Sequence, residues 1–201
     1  MVRLLALWQP DAQLPASGPV CPALAKWKLE CLHGQGDWSD LEHLDLPAIL
    51  TLHRNDGTPR YVVLRHLDDQ YADLTTQDGD IRFARDRLRA VWNGEYVAVW
   101  RNPVGLHPFG VGTRGDAVLW LRGALDTAEG RRPSPSPSPT FDDDLKQRLM
   151  RFQRTHQLTP DGLVGTQTLI VLIHAGAHPG PLLMPSGDGG TGAGSTAESR
   201  S

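Results

Sequence analysis

The side chains of the first half best suited to nucleophilic or metal chemistry are the thiols Cys21 and Cys31 and the histidines His33, His43, His53 and His66. Ten positions separate the two cysteines, too many for the close pairs of zinc knuckles and redox motifs. Two readings stay open for them. One is a local disulfide closing a short loop, stabilising by roughly 2–3 kcal/mol; the other is two buried free thiols, which are common core residues. The histidines are scattered over loop, helix and strands, with no His-x-x-x-His or similar ligand spacing. No Gly-rich phosphate loop ending in Lys-Ser/Thr is present. These observations predict no catalytic residue, no metal and no cofactor.

Composition narrows the partners. The 201 residues carry a net charge of -3, which leaves no polycationic footprint for nucleic acid. No apolar run approaches the length of a membrane span. Met1 to Gln9 is too short for a secretory signal, so a protein acting outside the cytoplasm is expected to be a fragment here, or to be delivered by something upstream.

The elements that must position these residues change period along the chain. Pro22 suits a first helical turn, with Leu24, Trp27 and Cys31 following at helical spacing. Asp37 can cap a second short helix, with Asp40 three residues on and Leu41 and Leu44 inward. Segments 48–53 and 60–67 flank Asn55-Asp56-Gly57 and read as an antiparallel pair. Segments 71–75 and 81–84 flank a second turn at Asp78-Gly79. A helix over 85–92 ending at Gly94 precedes an alternating strand, 95–101. The first part, 1–102, is therefore α+β: helices, then an antiparallel sheet of about five strands with one helix inserted. From 111 to 176 no segment reads as a strand. Helices are expected over 116–128, 142–157 and 165–175, and the acidic start and basic end of the second complement its dipole. These make a three-helix bundle, with the Pro-Ser stretch 131–140 as a surface loop. The Gly/Ser/Thr-rich tail, 186–201, is expected to be disordered.

Phe152 to Leu172 reads F-Q-R-T-H-Q-L-T-P-D-G-L-V-G-T-Q-T-L-I-V-L: a helix end, a tight turn where Gly162 supplies a positive φ, and a new helix start. Phe152-Gln153, Leu158, Asp161-Gly162, Val164-Gly165, Thr168 and Leu169 resemble, in order and spacing, the peptidoglycan-binding domain found on many cell-wall hydrolases. Val118, Leu121 and Leu125 match the apolar positions of that family's first helix. The Pro-Ser insertion is a departure from its short loop. The resemblance implies peptidoglycan as the ligand, with Gln153, Arg154, Asp161, Gly162, Thr166, Gln167 and Thr168 as the candidate binding residues. Arg154 suits a stem-peptide carboxylate through a bidentate contact. Taken singly, each of these residues is equally explained by a solvated helix face.

Arg60-Tyr61-Val62-Val63-Leu64 resembles the core hairpin strand of papain-like cysteine peptidases that process bacteriocin leaders. Arg60 stands where those enzymes place the histidine that serves as general base, and an arginine cannot give up its proton near neutral pH. Their Cys-Gly nucleophile motif is missing too, so the resemblance implies a degenerate peptidase domain. Such a domain joined to a peptidoglycan-binding module resembles the periplasmic carboxy-terminal region of the general secretion pathway A family of type II secretion. LLALW near the start, Cys31-Leu32, Leu46 to Leu50, Asn93 to Tyr96, Trp100-Arg101 and Gly115 to Val118 leading to Trp120-Leu121 carry that likeness. It implies a periplasmic region of an inner-membrane protein whose ATPase domain and membrane span are absent from this sequence. It also implies a companion B protein and the secretin as partners, with self-association left open. An oxidising periplasm favours the Cys21–Cys31 disulfide. Two other functions compete with this wall-binding assembly factor: a cell-wall hydrolase, and a protein-interaction module that has lost glycan binding.

Overall fold

The computed structural model describes residues 1–54, 56–102, 105, 107–176 and 180–184. Asn55 of the expected hairpin turn and the expected disordered tail, 186–201, lie outside the described residues. Helix α1 (Val2–Trp8) buries Leu4, Leu5 and Trp8. The short helix α2 (Val20–Ala23) runs into a 3-10 turn at Leu24–Trp27. That turn ends at Lys28, whose φ of 57° is left-handed, and the chain reverses into strand β1 (Leu29–Gln35). Cys31 is therefore on a strand, which corrects the helical reading of Leu24, Trp27 and Cys31.

Helix α3 (Trp38–Leu44) has the expected start. Asp37 Oδ1 accepts from the N–H of Ser39 at 2.8 Å and of Asp40 at 3.4 Å, and Asp40 Oδ2 accepts from Asp37 N–H at 2.7 Å. The Ser39 hydroxyl and backbone bonds hold the Asp37 carboxyl below its ordinary range. Strands β2 (Ala48–His53), β3 (Pro59–Leu67), β4 (Tyr71–Thr76) and β5 (Gly79–Ala84) follow. Helix α4 is only Arg85–Leu88, and Trp92 opens strand β6 (Trp92–Arg101). The helix expected to reach 92 stops early because His53 N–H bonds to Val91 O at 2.6 Å and Trp92 pairs with Leu52. Sheet pairing overrides the local helical pattern.

Among the described residues the sheet has six strands, in the order β1-β6-β2-β3-β4-β5, each neighbouring pair antiparallel. The strand the sequence reading lacked is β1, an edge strand paired along its length with β6.

The second unit packs helix α5 (Asp116–Ala128), helix α6 (Asp143–Thr155) and helix α7 (Thr166–Gly176). Val118, Leu121, Leu125, Leu145, Leu149, Phe152, Leu169 and Leu172 form its core. The Pro-Ser stretch is pinned to this bundle. Arg122 donates to Ser138 O at 2.9 Å, Thr140 O at 3.0 Å and Asp142 at 2.7 Å. Asp142 caps α6 by accepting from Leu145 N–H; that bond and the neighbouring Arg122 hold its carboxyl below the ordinary range. Inside, Arg148 bridges Asp126 at 2.7 Å and Glu129 at 2.9 Å, tying α6 to the end of α5. Past α7 the chain returns to the first unit. Leu183, fully buried, accepts from Leu67 N–H and donates to Asp45 O, both at 3.2 Å, and Met184 N–H reaches Asp45 Oδ1 at 2.7 Å. Residues 180–184 are thus a clasp across the two units.

Candidate functional site

The turn between α6 and α7 is organised by one buried amide. Gln153, 1% exposed, accepts from Gly162 N–H through Oε1 at 3.0 Å. Its Nε2 donates to Asp161 Oδ1 at 3.0 Å, Leu163 O at 2.9 Å and Thr168 Oγ1 at 3.3 Å. Gly162 has φ +72°, and a Cβ there would stand 2.7 Å from Lys146 Cγ. Val164 then bridges back to Phe109. Every polar atom of Gln153 is engaged within the turn, so Gln153, Gly162 and Thr168 are buried parts of its frame. Exposed or half-exposed around that frame are Arg154, Asp161, Thr166 and Gln167. Arg154 forms no ion pair among the described residues. Helix α6 ends in a Schellman arrangement, Leu158 N–H to Gln153 O at 2.8 Å and Gln157 N–H to Arg154 O at 3.2 Å. Gln157 occupies its left-handed position, φ 55°, where glycine is usual. His156, stacked on Phe152 with ring centroids 4.2 Å apart, has its pKa lowered by burial.

In the first unit Cys21 and Cys31 are bonded to each other, Cα–Cα 5.6 Å, so α2 is stapled to β1. His33 Nε2 lies 3.7 Å from Cys21 Sγ. The donor atoms of Cys21, Cys31 and His33 lie within 4.8 Å of one another. Both sulfurs are held in the S–S bond, and neither is a thiolate ligand or nucleophile in this state. The sequence reading placed His33 among scattered histidines; β1, which brings it beside Cys21, was the missing signal. Arg60 is exposed on β3, opposite Leu52. Leu52 faces Trp92 on β6, whereas Cys31 faces Val99 on the far side of the same strand. Seven residues of strand separate those levels, roughly 23 Å, and two strands lie between. Position 60 and the cysteines therefore form no thiol–base pair.

Fold and site together define a peptidase-like α+β domain followed by a small helical peptidoglycan-binding domain. Residues 114–172 match the family model for a peptidoglycan binding domain, and residues 2–102 match the model described as GspA, peptidase C39-like domain. The chain belongs to that GspA peptidase C39-like family. It is 30% identical over 184 residues to general secretion pathway protein A of Aeromonas hydrophila, covering 91% of this chain and 33% of the relative. It is 27% identical over 161 residues to a general secretion pathway protein A of Escherichia coli strain K12, covering 80% and 32%. The chain thus spans about a third of the length of these curated relatives. Among solved structures it is similar to the crystal structure of a periplasmic domain of the EpsAB fusion protein of the Vibrio vulnificus type II secretion system. That match has a TM-score of 0.52 and 30% identity, covering 77% of this chain and 68% of the other. Among the described residues no helix is long and apolar enough to cross a membrane.

Proposed function

We propose that this chain is a non-catalytic, periplasmic, wall-binding region of a type II secretion assembly factor. In this reading it is part of an inner-membrane protein that holds peptidoglycan, with a companion B protein, so that the secretin is placed through the wall. The division is residues 1–102 as the peptidase-like unit and 111–176 as the binding unit. The observation that carries the reading is the Gln153-centred turn, which displays Arg154, Asp161, Thr166 and Gln167 around a rigid frame. In the proposal these four meet ligand, while Gln153, Gly162 and Thr168 position them. The oxidised Cys21–Cys31 pair supports the absence of catalysis, because thiol chemistry needs a free thiolate and a base.

Co-sedimentation with purified sacculi tests binding, and a zymogram tests hydrolysis. Arg154→Ala should weaken sacculus binding with the melting temperature held, since a solvent-facing change costs the fold about 0.5 kcal/mol or less. Unchanged binding would remove Arg154 from the site. Clearing of the zymogram would move the protein to the hydrolases.

A further inference from the structure

A cleft of about 140 Å³ opens between the two units, where α3 faces the end of α6 and the start of α7. Leu44 and Val171 give it aliphatic lining; Gln157, Gln167, Asp40 and His43 give it polar groups. No lysine or arginine lines it. The side-chain amides of Gln157 and Gln167 and the ring of His43 make no hydrogen bond among the described residues. Asp40 gives Oδ2 to the α3 cap and has a second carboxylate oxygen. Gln157 is held there in a left-handed conformation, φ 55°, that a glycine would adopt without strain.

We infer that this composite cleft is a subsite for the N-acetylated amino sugars of the glycan strand. The inference rests on the wall-binding reading and names which part of the wall the cleft takes. A stem-peptide carboxylate entering it would meet Asp40 and no cation, and burying an unpaired charge is unfavourable. An acetamido group is neutral and carries one donor, one acceptor and a methyl. The two glutamine amides each offer both hydrogen-bonding roles, and the methyl fits the aliphatic lining. Sugar hydroxyls suit the free Asp40 oxygen and the His43 ring. Because α3 belongs to the first unit, the peptidase-like domain contributes directly to recognition. That gives a domain whose two cysteines are held in a disulfide a role in binding.

The test uses the full chain, the tetramer of N-acetylglucosamine and its deacetylated counterpart, with binding followed by amide chemical shifts and calorimetry. The expected result is that the acetylated tetramer shifts the signals of His43, Gln157 and Gln167, and that the deacetylated tetramer binds at least tenfold more weakly. Gln157→Gly should lower affinity about tenfold while the melting temperature stays level or rises, because strain is relieved as the amide is lost. Gln167→Ala should also lower affinity. Unchanged affinity in both variants, no shifts in the cleft, or equal or tighter binding of the cationic deacetylated tetramer would overturn the subsite. Should wild-type chain sediment with sacculi in those cases, only the subsite falls; should it fail to sediment, the wall-binding reading falls with it.

Discussion

The backbone N–H of Gly162 is bonded to the side-chain carbonyl of Gln153 at 3.0 Å, out of solvent, nine residues away in sequence. One side chain therefore sets the angle between α6 and α7, and the exposed groups around the turn inherit their geometry from it.

Gln153→Ala should destabilise the second unit by about 1–3 kcal/mol, the cost of leaving a buried donor without an acceptor. Gly162→Val should cost a similar amount, roughly 1–3 kcal/mol, because a β-branched residue is forced to positive φ. Urea denaturation measures both. Sacculus binding should fall together with stability in both variants, whereas Arg154→Ala should lower binding alone.

Arg148 carries a second prediction. Its side chain is 9% exposed and faces carboxylates at Asp126 and Glu129 that are 12% and 23% exposed. Burial opposes its charge, but the hydrogen bonds it donates to Glu129 and Asp126, with their negative charges, outweigh that and raise its pKa. Arg148→Met strands the Asp126 carboxylate, while Glu129 keeps Arg131 at 3.0 Å, and should cost about 3 kcal/mol. Adding Asp126→Leu should recover part of the loss, which a double-mutant cycle reads directly.

The cysteines offer a chemical check. Protein unfolded without reductant should titrate no free thiol, and reduction should lower stability by about 3 kcal/mol for a loop of this size. Reduction frees Cys21 with His33 Nε2 3.7 Å from its sulfur, so a peptidase assay on the reduced protein tests the non-catalytic reading, and the expected result is no activity. Two thiols titrating before reduction would contradict the bonded pair.

Much of this fold is legible where the determinants are local. Asp37 and Asp40 announce a capping box by spacing alone, and the β2–β3 pair follows from alternation around a turn. The edge strand β1 is not legible in that way. Its run contains Glu30, Gly34 and Gln35, and its conformation is dictated by pairing with β6, which follows far along the chain, from Leu29 opposite Arg101 to Gln35 opposite Glu95. The same non-locality hides His33 beside Cys21. Gln153 reads as a surface residue because it follows Phe152 on a charged helix. Asking which acceptor satisfies the N–H of a buried turn glycine is the accounting that could have found it. The cleft joins His43 to Gln167 across more than a hundred residues, and no sequence period reports such a contact.

His156 gives a pH dependence. Its folded pKa is lowered by burial, so charging it costs more in the native than in the unfolded state. The stability this contributes is present above the unfolded value of about 6.5 and is lost as pH falls through the folded value. The melting temperature should drop as pH falls below about 6.5, and His156→Asn should flatten that slope. An identical slope in the variant would assign the dependence to other groups.

The central claim is that the folded chain holds peptidoglycan without cutting it, and co-sedimentation of the intact wild-type protein with insoluble sacculi tests it most directly. The expected result is saturable sedimentation at low and moderate salt with the sacculi left intact. Recovery of the folded protein entirely in the supernatant at both salt concentrations would contradict it.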